Sequence, residues 1–206
     1  MLPVGHDTLA VVDDEVDARI AGADVAGQPD LRARDGRLAH IGLAGDPQGL
    51  RVAAIGNSDA HGTPMHLGPI HREIYPSEFL FRAVNTHVLL PEPLNGEIEP
   101  DRRLLIQATG EGHSWVGYDM AGPTDDFRFT VQGAAGGIMG DEMRLGVGAT
   151  LQIRTPARCR IRVVRHGAVM TEVERESNLT YIPTEPGAYR VECLIPYEGQ
   201  ERGWIY

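Results

Sequence analysis

Asp59 and His61 stand two positions apart in the run Gly56-Asn57-Ser58-Asp59-Ala60-His61-Gly62. In an extended loop, side chains at i and i+2 point the same way. A carboxylate oxygen and an imidazole nitrogen can then converge on one cation, and that donor pair suits Zn²⁺, Mn²⁺ or Fe²⁺. A catalytic ion of this kind acidifies a bound water and polarises the bond to be cleaved. Two protein ligands do not make a catalytic site, which takes about three plus water. The missing ligands must come from elsewhere in this chain, from a second chain or from a second copy of this one. His66 and His113 are candidates for proton transfer or substrate contact. Trp115 and Tyr118 are candidates for lining a substrate pocket. Ser58 has no G-x-S-x-G elbow around it, so nothing marks it as a nucleophile. No glycine cluster precedes a predicted helix in the manner of a phosphate-cradling loop.

The elements needed to position these residues follow from the hydrophobic pattern. Residues 8–12 and 51–56 are short continuous apolar runs that predict buried strands of parallel type. Asp59 and His61 then lie just past a strand end, where α/β proteins place their chemistry. Residues 77–90 predict a helix opened by Ser77 and stopped before Pro91, with Phe79, Leu80, Ala83, Val84 and Val88 on one face. A second helix is predicted over 100–109 and a strand over 114–118. Past Pro123 the pattern alternates. Strands are predicted at 127–132, 149–154, 160–165, 168–173, 178–182 and 187–195, with His166-Gly167 as a tight hairpin turn. Tyr189 is expected to hydrogen-bond back across this region.

Several stretches resemble the PHP (polymerase and histidinol phosphatase) family of metal-dependent hydrolases and phosphoesterases. Gly56–Gly62 resembles the Asp-x-His motif that closes the family's metal cluster. Phe81–Val88, Trp115–Asp119 and Pro186–Glu192 look like the branch typified by carbaryl hydrolases, which carries a C-terminal β-rich domain. The terminal Trp204-Ile205-Tyr206 resembles the start of that branch's closing strand. Gly5–Glu15 resembles the family's early strand, with Asp14 where a histidine is usual. Gly22–Val25 resembles the segment where the family has a bridging carboxylate, and Ala39–Gly42 resembles its Gly-His ligand, so the resemblance implies Asp14, Asp24 and His40 as the further metal ligands. The family's opening His-x-His has no counterpart, since no two of the eight histidines are separated by one residue. The segment from His40 to Asp59 is also too short for the usual barrel strands.

The resemblance implies a fold of α/β plus all-β class: a partial PHP-type (β/α) barrel over 1–122, followed by a small antiparallel β-sandwich over 123–206. It implies attack of metal-activated water on a phosphoester, or on an amide or carbamate, of a small-molecule substrate. The rival is a non-catalytic remnant acting as a binding or structural module.

Composition bounds the partners. Of the 206 residues, 19 are Lys or Arg and 29 are Asp or Glu, a net charge of −10. Phosphate-rich partners such as nucleic acid and anionic membrane are disfavoured by repulsion. With 25 glycines and 14 prolines the chain must turn often, which argues against a helical bundle. Two cysteines outside any CxxC motif argue against a zinc ribbon. They are expected as buried thiols, with a disulfide as the alternative. No leader sequence is visible, so the cytoplasm is the expected compartment.

Overall fold

The computed structural model describes residues 8–11, 53–133, 136–145 and 148–206. Alternating apolar residues give strands that pair with their chain neighbours through tight turns, and the result is mostly antiparallel: 51% strand and 11% helix. The elements are β1 (Thr8–Val11), β2 (Thr63–Leu67), β3 (Ile70–Ile74), α1 (Ser77–Leu80), β4 (Val84–Val88), α2 (Ile98–Gly110), β5 (Ser114–Tyr118) and β6 (Arg128–Gln132). They continue with β7 (Gly137–Ile138), β8 (Glu142–Arg144), β9 (Thr150–Arg165), β10 (Ala168–Tyr181), β11 (Gly187–Tyr197) and β12 (Gln200–Ile205).

Ten of these strands form one sheet, with the path β4-β5-β12-β11-β9-β6-β7 and with β10 paired to β9. The sheet curls into a half-barrel. The expected α/β class, a partial (β/α) barrel with a small sandwich behind it, is therefore corrected. A (β/α) barrel needs a helix between successive parallel strands. Among the described residues the one parallel pairing is β1 with β11, and β1 also pairs antiparallel with β8. In place of a two-layer sandwich, β4 and β5 join the C-terminal strands edge to edge. Ile205 lies opposite Gly117, and Val116 and Tyr206 exchange both backbone hydrogen bonds, at 2.8 and 2.9 Å.

Four predicted strands fuse into two long ones. The reason is a bulge: residues 155–158 of β9 lie opposite Ser177 alone on β10. Pro156, which cannot donate to a ladder, sits inside this irregularity, and Arg175 takes a φ of 57° near it. Bulges raise local twist and bend a strand, which matches the curl. β9 pairs with β6 before the bulge and with β11 after it. The hairpin turn His166-Gly167 has both φ values positive, the requirement of a type I′ turn.

The helix predicted over 77–90 exists only at Ser77–Leu80, and Val84–Val88 is a strand. Val84, Thr86 and Val88 are β-branched and alternate with Asn85 and His87, a period of two that outweighs the helical spacing once β5 is there to pair with. The predicted strand 51–56 is absent from its described part, 53–56.

One face of the sheet packs Trp115, Phe129, Leu151, Ile161, Val163, Tyr189, Cys193 and Trp204 into the main core. Cys159 and Cys193 are buried thiols that form no disulfide. The Tyr189 hydroxyl donates to the Glu185 carbonyl at 2.7 Å, tying the strand back to its entry turn. No helix among the described residues is long and apolar enough to cross a membrane.

A polar clamp fixes β4 to the turn after β5. The Asp119 carboxylate accepts from Asn85 Nδ2 at 2.8 Å, His87 Nε2 at 3.0 Å and Thr124 Oγ1 at 2.6 Å. His87 stacks on Trp115 with ring centroids 5.0 Å apart. Three donors meet at one carboxylate, and Thr124 is fully buried. Asp119→Ala should therefore cost about 1–3 kcal/mol in urea unfolding at pH 7, because the buried Thr124 and the half-buried Asn85 and His87 lose their shared acceptor. A loss below about 0.5 kcal/mol would show that the clamp carries no stability.

Candidate functional site

The chain reaches Asp59 from a fixed point. The Gly56 N–H donates to Thr86 Oγ1 at 2.9 Å, and the same hydroxyl donates to the Gly56 carbonyl at 2.8 Å. One side chain of β4 thus satisfies both backbone groups of Gly56, in place of a neighbouring strand. A Cβ at residue 56 would stand 2.3 Å from Val116 Cγ1, so only glycine lets the backbone lie this close to the sheet.

Beyond that point the loop is shaped locally. Asn57 Oδ1 accepts the Asp59 N–H at 2.7 Å, a side-chain turn that competes well with regular structure. Asp59 has a φ of 48°, a left-handed conformation that Asp and Asn tolerate better than most residues. His61 Nδ1 donates to the Asp59 carbonyl at 2.6 Å. Its Nδ1 proton is thereby held on the backbone side, and the Nε2 lone pair is left for a ligand. Metal-binding histidines commonly donate their second nitrogen to a carbonyl or carboxylate in this way. The Asp59 carboxylate lies 3.8 Å from His61 Nδ1, and the side chains are 92% and 73% exposed, free to rotate toward a shared cation. The donor types suit a divalent ion, but the carboxylate lies beside the protonated Nδ1, so sharing an ion through Nε2 requires both side chains to turn from these positions.

The structure brings Asp59 and His61 together and places the other candidates elsewhere. Asp14, Asp24 and His40 lie outside the described residues. His66 pairs with His71 across the β2–β3 hairpin. Both ring nitrogens of His113 face carboxylates: Nε2 is 3.0 Å from Asp141 Oδ1, and Nδ1 is 3.4 Å from Glu111 Oε2. Asp141 also accepts the Ile138 N–H at 2.9 Å. His113 therefore ties the end of α2 to the β7–β8 turn. No group of three or more His, Cys, Asp or Glu placed to hold a metal occurs among the described residues.

Trp115 and Tyr118 are both buried. They point to opposite faces of β5, as a spacing of three in a strand requires, and pack in different clusters. A cavity of about 10 Å³ beside Trp115, Phe129 and Tyr206 has room for about one water molecule.

Sequence reading missed the partners Asp119 and Thr124 of His87, because residues 32 and 37 positions apart carry no local signal. The His87–Asp119 pair has the composition of an acid–base couple. Yet Thr124, the hydroxyl beside it, is fully buried and already gives its proton to Asp119, so the cluster presents no nucleophile to solvent.

Comparison with protein-family models, with curated proteins and with solved structures finds no match for this chain.

Burial pushes the Tyr118 phenol up to about 12, with Tyr197 and Glu198 adding to the effect. The ordinary value is about 10, so the neutral phenol favours the folded state. Its contribution should be complete below pH 10 and lost as pH rises from 10 to 12. Urea midpoints measured across that range should fall less steeply in Tyr118→Phe than in the parent. Identical slopes would contradict the assignment.

Proposed function

We propose that this chain is a metal-dependent hydrolase, with Asp59 and His61 as two ligands of a divalent cation, Zn²⁺, Mn²⁺ or Fe²⁺. The observation that carries the reading is the hydrogen bond from His61 Nδ1 to the Asp59 carbonyl, which orients an exposed imidazole to ligate through Nε2. The pinning of Gly56 by Thr86 supports it, because a ligand pair needs a fixed origin. The resemblance of Gly56–Gly62 to the Asp-x-His metal motif supports it independently. It extends the reading to a small-molecule phosphoester, amide or carbamate as substrate.

When bound, the cation supplies a water acidified toward neutrality and polarises the scissile group. The chain's own tasks are narrower. Asp59 contributes negative charge and hard oxygen donors. Its carbonyl fixes the His61 tautomer. Asn57 and Thr86 hold the loop that carries both. The remaining ligands come from Asp14, Asp24 and His40, or from a second chain or a second copy. A second reading, a non-catalytic binding module, is favoured by Met65, Leu67 and Ile70, which share one exposed face of the β2–β3 hairpin.

Hydrolysis of 4-nitrophenyl phosphate and of a 4-nitrophenyl carbamate in Mn²⁺ or Zn²⁺ separates the readings. The hydrolase should lose activity to a chelator and regain it when the ion returns. Asp59→Asn and His61→Ala should each lower turnover by about 100-fold or more. Both positions are exposed, so urea midpoints should move by no more than about 0.5 kcal/mol. Turnover indifferent to chelator and to both substitutions overturns the metal assignment, and no turnover with any ion favours the module.

A further inference from the structure

The β2–β3 hairpin is a two-stranded ribbon separate from the large sheet. Residues 63–73 are all exposed. Two strands alone are marginally stable in water. The turn is tight because Gly68 takes a φ of 59° ahead of Pro69, the position a two-residue hairpin reserves for glycine.

Register decides what each face carries. His66 lies directly opposite His71, and Pro64 opposite Glu73. Directly opposed residues share a face, and faces alternate along a strand. One face therefore presents His66, His71 and Glu73, and the other presents Met65, Leu67 and Ile70. The two histidine rings meet edge to face, centroids 4.6 Å apart, with Nδ1 against Nδ1. In that contact one nitrogen must donate a proton to the lone pair of the other. Two imidazoles held on directly opposed strands also make a bidentate set for a borderline-soft cation once the rings part to admit it. The Glu73 carboxylate lies against Gly62, where a Cβ would stand, and so adjoins the same face at the foot of the hairpin.

We propose that His66 and His71 form a metal site of their own, binding Zn²⁺ or a similar divalent transition ion through both Nδ1 atoms and clipping the hairpin shut. Water fills the remaining positions. An ion that binds only the closed hairpin stabilises it by mass action, which matters for a ribbon that pairs with no other strand among the described residues. The site does not depend on Asp59 or His61, and it stands whether or not the hydrolase reading does.

The test uses Zn²⁺ alone as the probe and the full chain with Asp59→Asn and His61→Ala, which removes the other ligand pair. Long-range ¹H–¹⁵N NMR of the histidine rings should show the Nδ1 signals of His66 and His71 moving together as Zn²⁺ is added. His66→Asn and His71→Asn on that background should each weaken Zn²⁺ binding at least about 10-fold. The large sheet should stay folded by circular dichroism, because the ribbon lies outside it. Nδ1 signals that do not move at millimolar Zn²⁺, or affinity unchanged by both substitutions, would overturn the proposal.

Discussion

The Thr86 hydroxyl, bonded to both the N–H and the carbonyl of Gly56, is the contact on which the position of the candidate site rests. A buried or half-buried backbone group without a partner costs about as much as a lost hydrogen bond, so these two groups hold the chain firmly. The contact exists only because residue 56 has no Cβ to collide with Val116. It also requires residues 84–88 to be a strand, with Thr86 at its centre. That strand is fixed by β5, and β5 is fixed by Tyr206 at the far end of the sequence. The loop bearing Asp59 and His61 is thus set in place by residues up to 150 positions away.

The same dependence explains why the sheet does not divide at residue 123. The Trp204 indole N–H donates to the Gly122 carbonyl at 2.9 Å, and its ring fills the core between the early and late strands. The Asp119 clamp closes the other side. Together they tie early and late strands into the main core, across the change of pattern near Pro123. The bulge at 155–158 gives the sheet its curl without a second layer. What remains outside this framework is the ribbon 63–74 and the loop before it. Those are the segments that carry four exposed donors: Asp59, His61, His66 and His71.

Local chemistry was legible where it was self-contained. The alternation of 127–132, the turn at His166-Gly167 and the helix near 100–109 all follow from residues close together in sequence. The nearness of Asp59 to His61 was legible for the same reason, since a spacing of two needs no tertiary knowledge. Three things were not. The Phe79–Val88 stretch satisfies helix and strand periodicity at once, and only its partner β5 decides between them. The gap left between 149–154 and 160–165 is bridged by a bulge within a single strand. Trp115 and Tyr118 look like neighbours lining one pocket until the strand places them on opposite faces. Each failure concerns which strand lies next to which, information that alternation alone does not contain.

The central claim is that Asp59 and His61 share a cation on a loop held by Thr86. Crystals of the full chain soaked in MnCl₂, with anomalous diffraction measured near the manganese absorption edge, address it directly. The account predicts an anomalous peak about 2.2 Å from His61 Nε2 and from an Asp59 carboxylate oxygen, with the Gly56–Thr86 hydrogen bonds in place. Well-ordered density for both side chains with no peak between them would contradict it.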